Sequence, residues 1–407
     1  MRIEQILNDP KSAFIHLERY VNNGSPSGFS RNTTSDGTSP TGVELSFDLP
    51  IIQFDSSVEV IDVGENSYIE LLSRTLFCHP DNCALPFMQN IHNKWKKIDS
   101  VIVSPTASGR TVKCVKNYGF FVKLDYFGLI GRMTRNLDSK KVLSACEVSS
   151  SIKEAVVLGK MNPTFSFFQE QYGRYAKIEL PNGDIYEMGF IIREDAPYPP
   201  NNSVAAYIPF FSLFSLDRLS PEDESLIVQL YKRQNESASI FCLTIIASVV
   251  NAYFDTLVNC GLCLEAHAQN MLIGLDKNGA FASVIARDME SVDKDIPLRE
   301  HFGLKTQFSS EPYKCLHSTD YNYTIMHSFM FDFKLGCYLL DPLLDAMQII
   351  RGFDRNLVTT EIINLVLRRS SDLPSSYFPS QWYNYENEKF ERGVRRPYIA
   401  HEGPKYR

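Results

Sequence analysis

A long apolar run from Ala238 to Asn259 is followed almost at once by a polar hexapeptide, Glu265-Ala266-His267-Ala268-Gln269-Asn270. The run reads as a helix with Gly261 as its stop. Beyond the hexapeptide, Met271 to Leu275 and Phe281 to Ala286 form two apolar stretches separated by Lys277-Asn278-Gly279. Asn-Gly between apolar stretches is a strong hairpin signal, and Arg287-Asp288 closes the second stretch. Glu265, His267, Gln269, Asn270 and Asp288 are therefore expected in a loop and at the end of a hairpin, steadied by a core helix. A rigid scaffold presenting convergent polar groups is a common way to build a site.

The rest of the chain divides by texture. Residues 1–22 read as a helix, with Phe14, Leu17 and Tyr20-Val21 on one face. Residues 23–42, rich in Gly, Ser, Thr, Asn and Pro, read as a loop. Val43 to Phe54 reads as a strand and Ser67 to Leu76 as a helix. From Ser100 to about Arg193 the pattern is β-rich. Ser100–Ser104 and Gly119–Leu124 read as strands, and Tyr175–Leu180 with Ile185–Ile192 flank a Pro181-Asn182-Gly183 turn. A helix is expected to open near Val148–Ile152. The Pro-rich stretch from Ala196 to Asn202 marks a boundary, after which the chain reads as mainly helical. Ser220-Pro221-Glu222-Asp223-Glu224 is a helix-start signature, and Tyr323–Leu340 and Val358–Arg368 are further helices. An antiparallel sheet with one or two helices, followed by a helical part, is an α+β arrangement.

Composition narrows the function. The 407 residues suffice for two or three domains, and 44% apolar with 22% charged residues is an ordinary globular balance. A net charge of −7 argues against a general nucleic-acid or membrane-surface binder. Asn251 and Asp255 interrupt the apolar run at 238–259, which is read as a buried core helix and not a membrane span. The nine cysteines carry no second pair at zinc-site spacing, so reduced, buried thiols in a cytoplasmic protein are expected.

Two clusters carry candidate chemistry. Carboxylates, an imidazole and amides from Glu265 to Asp288 suit nucleotide phosphates with Mg²⁺, a hard ion that prefers oxygen ligands. Singly, each residue is better explained by a polar strand end that satisfies backbone groups. The β-rich part holds Ser108-Gly109-Arg110-Thr111, where hydroxyls, turn amides and a guanidinium suit an anion. Lys123 and Arg135 follow on later segments. Cations in one part and carboxylates in another are what a nucleotide cleft needs.

Taken together these residues resemble the NRPS-independent siderophore (NIS) synthetases of the aerobactin-synthetase type. Ser108, Arg110 and Thr111, then Lys123-Leu124, then Arg135 twelve positions beyond the lysine match one family segment. Glu265, His267, Gln269 and Asn270, then Arg287-Asp288, match another. The resemblance implies a hand-like architecture: a shortened thumb over residues 1–95, a β-rich fingers domain over 96–200 and a helical palm over 201–407. It implies ATP with Mg²⁺ between fingers and palm. Ser108, Arg110, Thr111, Lys123, His267, Gln269, Asn270 and Asp288 would contact the nucleotide. Arg135, His267 and Lys123 would be catalytic, and Glu265, Asn270 and Asp288 would hold the metal.

The implied reaction adenylates a small carboxylic acid, citrate or another, and joins it to an amine or alcohol with release of AMP. A homodimer is a further expectation from the resemblance. The sequence departs from the family in its shortened thumb, at Gly24–Arg31, where the histidines of its His-Pro-x-His-Pro stretch are absent, and at Gly131, where the family commonly has a Thr four positions before the Arg; these losses point away from citrate itself. Two other readings stand beside it. His267, Asn270 and Asp288 loosely echo a kinase-like phosphotransferase, although no Gly-rich phosphate loop accompanies them. The shortened thumb also fits a non-catalytic ligand-binding paralogue.

Overall fold

A computed structural model describes residues 1–23, 35–65, 73–115, 119–130, 133–180, 182–308, 323–378, 382–391, 394–400 and 403–407. Its largest element is an eight-stranded antiparallel sheet. In spatial order the strands are Glu59–Gly64, Tyr172–Glu179, Ile185–Glu194, Phe120–Leu124, Thr111–Cys114, Trp95–Pro105, Phe47–Phe54 and Thr75–Phe77. Strand alternation explains its two faces. Phe120, Val122 and Leu124 point into a core that also takes Leu49, Val112 and Phe190. Phe121 and Lys123, between them, point the other way.

That other face is covered in two places. The helix Ser139–Val157 packs Val142, Ala145 and Cys146 against Ile191 and Tyr175. Gly173 allows the close approach, because a Cβ there would lie 2.5 Å from the Val142 side chain. Elsewhere Phe121 joins Phe14, Phe168, Leu272 and Ile285 in a small apolar cluster. Leu272 and Ile285 belong to a second sheet of four strands, ordered Val204–Pro209, Met271–Asp276, Phe281–Ala286 and Phe165–Phe167, of which the last pair is parallel. The two sheets therefore meet at Phe121.

The second sheet belongs to the largest core, built around the helix Ala238–Cys260. This helix is long and apolar enough to cross a membrane by length and composition. Fifteen of its residues are buried in the core, as the sequence leads one to expect. Ser237 caps its start, accepting from the Ile240 amide at 3.3 Å. Gly261 ends it in the left-handed region, φ +57°, donating to the Leu257 carbonyl at 2.9 Å. The hairpin beyond turns at Gly279 (φ +82°), where the Asp276 carboxylate accepts from the amides of Asn278 and Ala280.

Several expectations need correction. The N-terminal segment is two helices, Ile3–Asn8 and Pro10–Tyr20, because Asp9 caps the second and Pro10 opens it. Residues 67–72 of the expected helix at Ser67–Leu76 lie outside the described residues, and Thr75–Phe77 is a strand paired with Ile51–Gln53. The long helix of the β-rich part opens at Ser139, capped by Asp138, and not near Val148. Ser220-Pro221 starts no helix; that helix is Leu226–Tyr231, and Asp223 is held instead by Arg2 at 3.0 Å. Beyond residue 200 the chain contributes three strands to the four-stranded sheet as well as helices. The fold is thus mixed α+β around a large antiparallel sheet. That sheet takes strands from both sides of residue 95.

Buried Asp125 fastens the segment that presents Arg135. Its carboxylate accepts from the Leu137 amide at 2.6 Å, the Tyr186 hydroxyl at 2.7 Å and the Asn82 side chain at 2.8 Å. Burial pushes this carboxyl up from 3.8 to about 6, against the opposing pull of those hydrogen bonds. The folded state then holds a proton the unfolded state has released, so this contribution is full below pH 3.8 and disappears as pH rises through 6. Relative to Asp125→Asn, the wild type should lose at most about 3 kcal/mol between pH 4 and pH 7. Parallel denaturant titrations across that range measure it, and a constant difference would contradict the assignment. Gly261→Ala should destabilise the fold by about 1–2 kcal/mol, because alanine is strained at a left-handed position. A Cβ there would also lie 2.2 Å from the Arg299 side chain. A lowered unfolding midpoint with unchanged cooperativity is the expected record.

Candidate active site

The first group of functional side chains comes from the free face of the eight-stranded sheet. Thr111 pairs with Lys123, Lys123 with Ile191 and Phe121 with Arg193 across neighbouring strands, so Thr111, Lys123 and Arg193 share one face. Arg110 precedes this strand at the end of a tight turn. In that turn Gly109 (φ +71°) donates to the Thr106 carbonyl at 3.0 Å, and the Ser108 hydroxyl accepts from the Thr111 amide at 3.1 Å. Arg135 lies on a two-stranded hairpin opposite Tyr126, and its carbonyl accepts from Arg110 at 3.0 Å.

The second group comes from the segment after the core helix. Ala266 and Ala268 are wholly buried in the main core, which leaves the intervening Glu265, His267 and Gln269 on the opposite side. The backbone of Ala268 is held from both directions: its amide donates to Tyr338 and its carbonyl accepts from Phe211. His267 Nδ1 accepts from the Gln269 amide at 3.2 Å, which assigns the proton of the neutral ring to Nε2, 3.6 Å from Glu265. Glu265 also pairs with Lys334 at 2.6 Å and accepts from Asn270 at 3.2 Å. Burial acts to raise the Glu265 carboxyl, but Lys334 and His267 hold it well below the usual carboxylate range.

The two groups meet in one charged knot. Lys123, almost entirely buried, contacts both Asp288 and Glu290, the latter at 2.6 Å. Arg110 reaches Glu290 at 3.1 Å, and Arg193 bridges Asp288 at 2.8 Å to Glu170 at 2.6 Å. Asp288 stands in the left-handed region (φ +74°), which Asp tolerates better than most residues. That turns its carboxylate back from the hairpin end toward the sheet. Burial acts to raise the Asp288 and Glu290 carboxyls; Lys123 and the neighbouring guanidinium groups keep both below the ordinary range. Arg135 feels the same charges. Burial and Arg110 lower its pKa, while Glu265, Glu290 and Asp288 oppose that shift.

Below the knot a buried ion pair ties the parts together. Glu18, on the helix Pro10–Tyr20, binds Arg287 at 2.6 Å and accepts at 3.2 Å from the Ala107 amide in the turn that precedes Arg110. Arg287 in turn donates to the Gln269 carbonyl at 2.7 Å. One carboxylate thus braces the turn before Arg110 against the His267 segment.

Lys123 and Asp288 come into direct contact, Arg110 joins them through Glu290, and Arg135 is electrostatically coupled to the group. Glu265, His267 and Asn270 form a neighbouring sub-cluster, joined through Ser291, which accepts from Asn270 at 3.4 Å and donates to the Asp288 carbonyl at 2.8 Å. Ser108 and Thr111 lie at the turn beside Arg110. Sequence reading missed Arg193, Glu170, Glu290 and Lys334. Glu290 had a faint signal, as the second acid of Asp288-Met289-Glu290; Lys334 had none.

Among the described residues no three His, Cys, Asp or Glu side chains are gathered as a metal site. Glu265 with Asn270, and Asp288 with Glu290, stand as separate pairs. The Asp288 and Glu290 side chains are 23% and 12% exposed. Hard oxygens of this kind fit a Mg²⁺ ion that shares its coordination with phosphates and water, and do not form a self-contained cage.

No family model matches the sequence, and no curated protein matches it. Solved structures do. The petrobactin biosynthesis protein AsbB from Bacillus anthracis str. Sterne superposes with a TM-score of 0.71 at 14% identity, covering 91% of this chain and 70% of its own. Aerobactin synthetase IucC from Klebsiella pneumoniae gives 0.69 at 14% identity over 92% and 74%. ATP-bound aerobactin synthetase IucA from the same organism gives 0.63 at 14% identity over 94% and 76%. The resemblance read from the two motif segments therefore extends to the tertiary structure, and the chain has the fold of the NRPS-independent siderophore synthetases.

Proposed function

We propose that this protein is an ATP-dependent, AMP-forming ligase that activates a small carboxylic acid and condenses it with an amine or alcohol, in siderophore or related natural-product biosynthesis. The observation that carries the reading is the meeting of Arg110, Lys123 and Arg135 with Asp288, Glu290 and the His267 segment at one seam. The fold shared with siderophore synthetases, one of them ATP-bound, supports it. In this reading the eight-stranded sheet serves as fingers and the unit around Ala238–Cys260 as palm.

The residues divide the work as follows. Ser108, Arg110 and Thr111 bind phosphate oxygens, and Lys123 neutralises charge on the triphosphate. A carboxylate oxygen of the acid attacks the α-phosphorus, the bond to the bridging oxygen breaks, and pyrophosphate leaves. Arg135 and His267 orient the acid and stabilise the charge that develops on the α-phosphoryl oxygens. An amine or alcohol then attacks the acyl carbon and loses its proton, and AMP departs. Gln269 contacts nucleotide or acid. Mg²⁺, held by Asp288 with Glu265 and Asn270 nearby, would supply further neutralisation of the phosphates.

The test is pyrophosphate release with hydroxylamine trapping, using ATP, Mg²⁺ and a panel of di- and tricarboxylic acids and amino acids. Hydroxamate with one acid and AMP as the nucleotide product is the expected result; ADP as the product would replace this reading with phosphoryl transfer. His267→Ala and Arg135→Ala should each lower adenylation about 100-fold or more, the size of effect that follows loss of a transition-state charge donor. Both should retain the wild-type thermal midpoint within a few degrees. Full activity in both variants would remove these residues from the mechanism.

A further inference from the structure

Lys123 and Arg110, the two cations best placed for a polyphosphate, are already occupied. Glu290 contacts both, at 2.6 Å and 3.1 Å, and Asp288 shares Lys123. The Glu290 amide donates to Glu170 at 3.3 Å, which fixes the turn Met289–Ser291 that carries it. Glu170 is committed elsewhere, since it is wholly buried and paired with Arg193. Asp288 also keeps Arg193 as a partner when Lys123 is withdrawn. Among the described residues Glu290 has no other ion-pair contact beyond Lys123 and Arg110; Lys141 and Arg135 act on it through charge at longer range. It is the carboxylate that must move.

We infer that Glu290 is an internal stand-in for nucleotide phosphate, and that polyphosphate binding is an exchange in which Glu290 yields Lys123 and Arg110 and is released toward the metal accompanying the nucleotide. This rests on the nucleotide-binding reading above and assigns a further residue to it. The argument is one of charge. A polyphosphate entering beside two buried carboxylates meets repulsion in a poorly screened site. A divalent cation relieves that repulsion by giving the displaced carboxylate a new partner. Metal-free ATP must bind without this relief and is therefore disfavoured, more strongly than its solution charge alone requires. Glu290 thereby sets how strongly nucleotide binding depends on Mg²⁺.

The experiment is calorimetric titration of the full-length protein with ATP, in excess Mg²⁺ and in EDTA. Wild type, Glu290→Gln and Glu290→Asp are compared, and each variant is first checked for wild-type thermal unfolding. Loss of one competing charge-assisted contact is worth about tenfold in affinity, so Glu290→Gln should bind metal-free ATP about tenfold more tightly and narrow the Mg²⁺ dependence by that factor. Glu290→Asp keeps the charge and should keep most of the wild-type dependence, which also tests the proposal if the glutamine variant fails to fold. Three outcomes overturn it while leaving the function reading intact: an unchanged dependence in Glu290→Gln, a narrowing caused only by weaker Mg²⁺–ATP binding, or equal narrowing in Glu290→Asp. Failure of the wild type to bind ATP with Mg²⁺ overturns both.

Discussion

Everything at this site depends on where the ammonium group of Lys123 ends. Its strand is otherwise apolar, and the side chain is 1% exposed. A lysine so buried needs paired carboxylates, since an isolated buried charge is far too costly. Asp288 and Glu290 supply them from the end of a hairpin in the other sheet. The pairing joins the two layers of the molecule, and it makes the seam between them polar at a chosen point.

The apolar part of the same seam sets the distance. Phe121, two residues from Lys123 and on the same face, packs between Phe14 and Phe168, with ring centroids 5.8 Å and 6.3 Å away. Leu272 and Ile285 complete that cluster from the hairpin strands. Hydrophobic contact therefore holds the strand and hairpin together, and the charged groups lie just beyond it. The Glu18–Arg287 pair adds a second brace, tying the first helices to both the turn before Arg110 and the His267 segment. Removing one member of such a buried pair typically destabilises by about 3–5 kcal/mol, because the other is left unpaired. The N-terminal helices are thus part of the site's support, although they carry none of its proposed chemistry.

A charge-balanced knot is also a reasonable resting state for a site proposed to take a polyanion. Three cations, Lys123, Arg110 and Arg193, contact three carboxylates, Asp288, Glu290 and Glu170. Excess positive charge without these acids would destabilise the fold by self-repulsion. The acids also keep the cations in place and extended toward one another, so that less side-chain entropy is lost when a ligand binds.

The sequence by itself determined the local elements whose signals are short-ranged. The Ala238–Cys260 helix ends at Gly261 because few other residues accept a left-handed position there. The hairpin after Asn270 turns where Asn278-Gly279 demands it, and the apolar run Phe120–Leu124 is a strand buried on both faces. The motif residues Arg110, Lys123, Arg135, Glu265, His267 and Asp288 were legible as a set, since their types and spacing survive in linear order. What only the tertiary structure decided is which of them touch. Register between two neighbouring strands brought Arg193 to the face of Lys123, and a left-handed residue turned Asp288 back toward the sheet. A partner 69 positions from Glu265 proved to be Lys334. Glu18, Glu170 and Glu290 gained their places the same way. Contacts between segments far apart in sequence are selected by packing, which leaves no periodic trace along the chain, so apart from the faint acidic signal at Glu290 no local pattern announced them.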